Sequence, residues 1–496
     1  MKRMKRFFGI FLLLLFAYAA LSCGSDKAGE NTETSKPDPG EDADGEVAAE
    51  IRDSLPDDLD FGGETLTMHV RKDGGIAPNV FEFYVEGEIG DIVNDIIYRR
   101  NKAVEDRLNI KMNVLGDHGW EAYDQAVTHI RTNIMAGDAT YDLIAGWSAR
   151  IPALSVQGLL MDLYELPYIK LSEPWWNQII TEELTINKKL NFAVGDGNSS
   201  ALAACMVMFV NNSVQREYGL PNLYDVVFEG NWTLDYMGDL IKSVSKDLNG
   251  DGIMDESDLY GAYMTNYNQW DGFMQASNIK MTKKDPGGMP YLDVEYDKLA
   301  NLVGKVYSLV YENAGSYVKK GNVGEDSASF MFENDQVLLW PGSLVVAISN
   351  FRSMESDYSI IPYPKYDTVQ EQYFSRIQDA VSLFCVPNNC VRTELVGAFM
   401  EAVSSESYKN VSPAYFDVAM KIKYARDETS AKMLDMIREG AYLNFAGIYN
   451  ESIGYPWHVM RQLMSAKSNN FASWWEKNEP KIVKAIDKLV AQMENN

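Results

Sequence analysis

Cysteine and histidine are scarce: this 496-residue chain holds four of each. Four thiols cannot supply the disulfide framework of a small secreted scaffold, and their pattern does not resemble the paired ligands of a zinc site. The histidines, His69, His118, His129 and His458, are scattered. They form no His-Glu-x-x-His pair and leave few imidazole bases for catalysis. A nucleophile elbow and a phosphate-binding glycine loop are also missing. Positive charge is in short supply, with 45 Lys and Arg against 71 Asp and Glu and a formal net charge of −26. That sign repels a phosphate backbone, so nucleic-acid partners are excluded. Long apolar runs are absent beyond the extreme N-terminus, which excludes a polytopic membrane protein. What the chain does have is core material, 46% hydrophobic and 12% aromatic residues. This rules out a disordered protein, and the length points to two or three folded units.

Lys2, Arg3, Lys5 and Arg6 precede an apolar stretch from Phe7 to Leu21, then Ser22 and Cys23. This is the layout of a secretory signal peptide, residues 1–22. A cysteine after a small residue resembles the bacterial lipobox, which implies lipidation at Cys23 and anchoring to the membrane. The alternative is an uncleaved N-terminal anchor. Thirteen acidic residues between Gly24 and Asp60 face only Lys27, Lys36 and Arg52. Such a segment cannot bury enough apolar surface to offset its ordering entropy, so 23–60 is predicted to be an extended acidic tether. Cys385 and Cys390 could pair across the turn at Pro387, Asn388 and Asn389. The other reading makes Cys205 and Cys385 buried small hydrophobes.

Leu66, Met68 and Val70 alternate with polar residues, which predicts a strand, and Ile92, Ile96, Ile97, Val104 and Leu108 share one helical face. Ile110, Met112 and Val114 return to period two, Ala126, Ile130 and Ile134 to the helical period, and Tyr141 to Ala145 reads as a third strand. Strands alternating with helices imply a parallel sheet covered by helices, with ligands taken at the carboxyl ends of its strands.

The run from Tyr141 to Arg150, followed by Gly158 to Leu163, resembles the bacterial extracellular solute-binding proteins related to the maltose-binding protein. Asn187 to Phe192 with Cys205 to Asn212, Trp232-Thr233-Leu234, Phe332 to Trp340 and Tyr358 to Pro364 extend the likeness in one order over most of the mature chain. The resemblance implies a type II periplasmic-binding-protein fold, two α/β lobes joined by a hinge with a ligand cleft between them. Lobe one is expected from 61–204 plus 366–418, and lobe two from 205–365 plus 419–496. It also implies a monomeric receptor that works with ABC-transporter permease subunits.

Between a helix ending near Val244 and a strand starting near Tyr260 lies Asp247-Leu248-Asn249-Gly250-Asp251-Gly252-Ile253-Met254-Asp255-Glu256-Ser257-Asp258. Oxygen-bearing side chains at its first, third, fifth, ninth and twelfth positions, a glycine sixth and the Ile253 carbonyl seventh match an EF-hand loop. Structural Ca²⁺ is expected on Asp247, Asn249, Asp251, Ile253 and Asp255, completed by Asp258 or Glu256. The alternative is a metal-free acidic turn. A single loop without a partner is unlike a sensor, and the resemblance to calcium-bearing alginate-binding proteins implies a structural role as well.

Sugar rings pack apolar faces on aromatic side chains while their hydroxyls need polar partners. Trp147 with Arg150, Asn268 with Trp270, and Trp340 before Pro341-Gly342-Ser343 put both kinds of group at predicted strand ends. Trp457 resembles the family's C-terminal cleft aromatic. Asp196 and Asn198 precede the crossing between lobes. Each of these aromatics has core packing as its other reading, and Gly195-Asp196-Gly197 is equally readable as a plain turn. The expectation is an extracytoplasmic, non-enzymatic receptor for an oligosaccharide. Its competitors are a surface glycan-degrading enzyme, whose carboxylates can lie far apart in sequence, and a helical starch-utilisation-type glycan-binding lipoprotein, which strand–helix alternation disfavours.

Overall fold

The computed structural model describes residues 52–72, 82–117, 120–264, 268–319, 325–351, 354–420 and 428–494. The leader with Cys23, and most of the acidic tether, lie outside the described residues. The end of the tether is folded. Asp53 is buried and pairs with both terminal nitrogens of Arg107, and Leu55 enters the core. The folded region therefore includes residues 52–60 and not only those from Phe61 onward, because one buried ion pair and one leucine fasten this segment to the helix Ile92–Leu108.

That helix starts where Asp91 accepts hydrogen bonds from the Val93 and Asn94 amides, and it ends at Asn109 in the left-handed region. It connects two parallel strands, Glu64–Arg71 and Ile110–Asp117. The helix Trp120–Met135 then leads to Leu143–Trp147, parallel to Glu64–Arg71 on its other side. The order of strand, helix, strand, helix, strand is thus the one the residue periodicities predict. A fourth strand, Ser382–Cys385, arrives from far along the chain and pairs antiparallel with Leu143–Trp147 at the sheet's edge.

The second sheet has five strands in the order Ser316–Val318, Tyr260–Met264, Val337–Ser343, Met206–Asn211, Tyr358–Ile361. The first three are parallel, and Met206–Asn211 runs antiparallel to both of its neighbours. Every residue of Met206–Asn211, Tyr260–Met264 and Val337–Ser343 is buried. The helix Leu234–Lys242, capped by Thr233, packs so closely on this sheet that a Cβ at Gly261 would lie 2.1 Å from the Ile241 carbonyl oxygen. Only glycine permits that approach.

Between the two sheets the chain crosses at Ala204 and Cys205, returns through the 362–381 segment, and passes again near Ala441. Ser375–Arg376 and Ala441–Tyr442 pair in parallel as a short hinge ladder, flanked by a Cys205–Ile377 bridge. Cys205, Cys385 and Cys390 are all buried and unbonded, so the turn at Pro387 carries no disulfide. Among the described residues no helix is long and apolar enough to cross a membrane.

Candidate functional site

Strand alternation makes the hinge ladder two-faced. Neighbouring residues project to opposite sides, and two cavities follow this rule. Arg376 and Tyr442 line a narrow space of about 20 Å³ on one face, while Ala441 lines a larger one of about 260 Å³ on the other, with Ile377 at the edge of both.

The narrow cavity lies at the carboxyl end of Leu143–Trp147, where an α/β sheet takes its ligand. Ser148, Gln275, Asp379, Asn444 and Trp457 also line it. Trp147 and Ser148 donate to the Asp379 carbonyl oxygen at 2.5 and 2.7 Å. Two guanidiniums meet two carboxylates beside it. Arg461 donates to Asp271 and reaches Asp379 at 3.8 Å, and Arg376 lies 3.7 Å from Asp271 and 4.0 Å from Asp379. Burial pushes the Asp271 carboxyl up to about 6 against the pull of Arg461 and Arg376. Burial also raises Asp379, but here Arg376 and Arg461 prevail and hold it below the usual range. His458 is kept neutral, since burial and the nearby Arg461 charge push its pKa far down.

Three buried polar atoms in this group have no hydrogen-bond partner: Asp271 Oδ1, Arg376 Nη1 and Gln275 Nε2. Gln275 spends its oxygen on the Asn444 amide at 2.9 Å. One acceptor and two donors left unpaired inside a protein are expensive. A hydroxyl, which both donates and accepts, satisfies such a set.

The cleft is shut. Arg150 follows the first sheet and donates to Glu451 at 3.0 Å and to Asp124 at 2.6 Å, with its guanidinium 4.9 Å from the Trp147 ring. Ser155 and Tyr449 share a 2.9 Å hydrogen bond. Tyr449 and Glu451 lead into the helix Val459–Ser465, which packs on Asn268–Ala276 of the second lobe. These bonds therefore join one lobe to the other.

Of the tryptophans and polar residues singled out in the sequence, Trp147, Arg150 and Trp457 gather around this cleft. Asp196 and Asn198 line the larger cavity on the opposite face of the hinge ladder. There Asp196 is paired with Arg438 at 2.7 Å and bonded by Ser412, and its carboxyl is pushed up by burial, an effect those partners only partly offset. Asn198 donates to Ser382 at 3.2 Å. Trp340 does not reach either cavity. It is fully buried in the second lobe, with ring centroids 5.6 Å from Phe209 and 5.5 Å from Phe351. Trp270 is buried on the helix that carries Asp271, on neither cavity wall. Asn268 opens that helix, and its side chain lies outside the described residues. Sequence reasoning missed Asp271, Gln275, Arg376, Asp379, Asn444 and Arg461. The one available signal was Arg376 and Asp379, two charges set just before the apolar run Leu383 to Val386.

The 247–258 loop wraps around its own amides. Asp247 accepts from Gly250 and Gly252 at 2.6 and 2.9 Å, Asn249 from Asp251 at 2.9 Å, and Asp251 from Ile253 at 2.8 Å. Asp255 accepts from Ser257 at 2.9 Å, and fully buried Asp258 accepts from Leu248 and Asp255 at 2.9 and 2.8 Å. Glu256 faces Lys319 at 4.0 Å. Oxygen types and turn suit Ca²⁺, but the carboxylates have not converged. Among the described residues no group of three or more His, Cys, Asp or Glu is gathered as a metal site.

No family model and no curated protein matches this chain by sequence. Solved structures do match it in shape. A cyclo/maltodextrin-binding protein complexed with maltotetraose is 12% identical, with a TM-score of 0.52 over 87% of this chain and 96% of its own. A sugar transporter from Rhizobium etli in an open conformation is 15% identical, with a TM-score of 0.52 over 87% and 99%. An ABC substrate-binding protein of Listeria monocytogenes in complex with cycloalternan is 11% identical, with a TM-score of 0.50 over 87% and 99%. With its two sheets, its crossed hinge and these neighbours, the chain has the two-lobed α/β fold of the ABC-transporter substrate-binding proteins, and a purely helical architecture is excluded.

Proposed function

We propose that the protein is an extracytoplasmic receptor that closes two lobes on a carbohydrate and presents it, unaltered, to an ABC-transporter permease. One observation carries this reading: the unpaired Arg376 Nη1 and Gln275 Nε2 line the interlobe cleft with Trp457 and with Asp379, whose carbonyl holds Trp147. Hydroxyls of a sugar complete those bonds, and the indoles offer faces to its C–H groups. The cleft's two guanidiniums and two carboxylates balance in charge, which suits a neutral saccharide. Solved structures of the same fold, in complex with maltotetraose and with cycloalternan, support a glycan as ligand. The cleft as it stands is too small for any sugar ring, so binding needs the lobes to part and close again. Ligand then favours the closed state through contacts made to both lobes only there.

A thermal-shift screen against a glycan panel, followed by mass spectrometry of the best binder after long incubation, tests the reading. Binding near micromolar, on the order of −8 kcal/mol, with the glycan recovered intact, is the expected result. Turnover to shorter sugars would overturn it in favour of a glycan-degrading enzyme. The same proposal includes lipidation at Cys23, which the basic and apolar leader supports, and monomeric action at the membrane surface. It also includes structural Ca²⁺ on the 247–258 loop, supported by its order of oxygen ligands and its prewrapped turn. Uptake would draw the Asp247, Asn249 and Asp251 side chains off their amides.

A further inference from the structure

The space behind the hinge is the larger of the two cavities, and the sugar reading leaves it unused. Its walls come from both lobes and from the crossing itself: Trp176 and Ile179 on one side, Leu344 on the other, Cys205 at the crossing, and Phe416 with Ile437 from the later helices. Protein interiors seldom leave room for more than a water molecule. About 260 Å³ here far exceeds the roughly 150 Å³ that holds benzene in a dry cavity. At its edge Asp196 is held by Arg438 at 2.7 Å, and Glu439 is exposed, its charge screened by water. Neither leaves a buried unpaired charge for an ionic guest, and apolar walls disfavour a sugar.

We propose that this cavity is a second ligand site, for a small neutral and largely apolar molecule about the size of a fused two-ring aromatic, and that its occupancy is coupled to closure of the lobes. Coupling follows from position. The hinge ladder separates the two cavities, so parting the lobes on the sugar face moves Leu344 and Ile377 relative to Trp176 and Ile179 on the other. A molecule that fits the space as it exists with the cleft shut stabilises the shut state. By linkage it raises affinity for any ligand that needs that state, and the sugar ligand raises affinity for it in return. This second half rests on the receptor reading, whereas occupancy of the cavity does not.

Indole serves as the probe. Without any glycan, saturation-transfer NMR should show indole bound, and the melting temperature should rise by about 2 °C at saturation. Two substitutions fill the space from opposite walls, Ala201→Leu and Leu344→Phe. Each should remove the indole signal, and either one suffices if the other fails to fold. Absence of indole binding to the wild-type protein, or binding undiminished in a folded filled variant, overturns the site. With the best-binding glycan from the panel, indole should tighten glycan affinity at least threefold in the wild type and not in the filled variants. Unchanged or weakened glycan affinity with indole bound overturns the coupling. A protein that binds indole and no glycan sinks the receptor reading and leaves the site standing.

Discussion

Asp271 shows how much a single side chain buried beside the cleft decides. Its surface is wholly inaccessible, and burial lifts its carboxyl to about 6, well above the value of an unfolded aspartate. A raised acid pKa means that the folded state holds the proton more tightly than the unfolded one. Its favourable contribution is therefore complete below about pH 4 and is lost as pH rises through about 6, an effect of roughly 3 kcal/mol. Asp271→Asn removes this titration. The variant should gain stability relative to wild type by that amount between pH 4 and 7 in denaturant melts, and a constant difference across the range would contradict the burial argument. Trp340 makes the opposite case. With no surface exposed and three phenylalanines around it, Trp340→Ala should cost about 3–5 kcal/mol of stability. Glycan affinity of the folded fraction should stay unchanged. Trp147→Ala should do the reverse, releasing the Asp379 carbonyl and weakening glycan affinity at least tenfold, about 1.4 kcal/mol, with little loss of melting temperature.

At the scale of elements, the first lobe was legible because its strands and helices carry clean periods. Leu66, Met68 and Val70 alternate, and Ile97, Val104 and Leu108 fall on one buried helical face as expected, although Val93 rather than the expected Ile92, which is exposed, completes it. The cleft was not legible in this way. Asp271 lies on a helix of the second lobe, Arg376 and Asp379 on the hinge, and Arg461 near the C-terminus, and none sits in a local pattern. Their meeting is a property of the fold. Trp340 misled for a related reason: a tryptophan before Pro341-Gly342 reads as a strand end opening into a loop, whereas Val337–Ser343 continues through the proline as a buried strand. The acidic loop invites a direct test of whether its oxygens bind metal. Ca²⁺ bound to the folded state alone should stabilise it by about 2.7 kcal/mol at a hundredfold excess over Kd. EDTA should then lower the melting temperature, and Asp251→Ala should remove that response. Identical melts with and without chelator would identify the loop as a turn stabilised only by its own amides.

For the whole molecule, the proposed closure and anchoring are each open to measurement. Scattering should show compaction when glycan binds, and Arg150→Ala, which removes the 3.0 Å interlobe bond to Glu451, should make the ligand-free protein more open. Cys23→Ala should move the protein to the soluble fraction or stall its processing; unchanged detergent-dependent fractionation would argue against lipidation. One topological detail bears on how the chain is made. The edge strand Ser382–Cys385 completes the first sheet, yet it is synthesised after every strand of the second. At about 5–20 residues per second, Leu143–Trp147 waits on the order of 10–50 s with an open edge before its partner leaves the ribosome. Over that interval the first lobe cannot lock. A chain that is slow to lock stays threadable, so on the proposed extracytoplasmic role the order in which its strands are made would give an export apparatus time to take hold of it before the fold is complete.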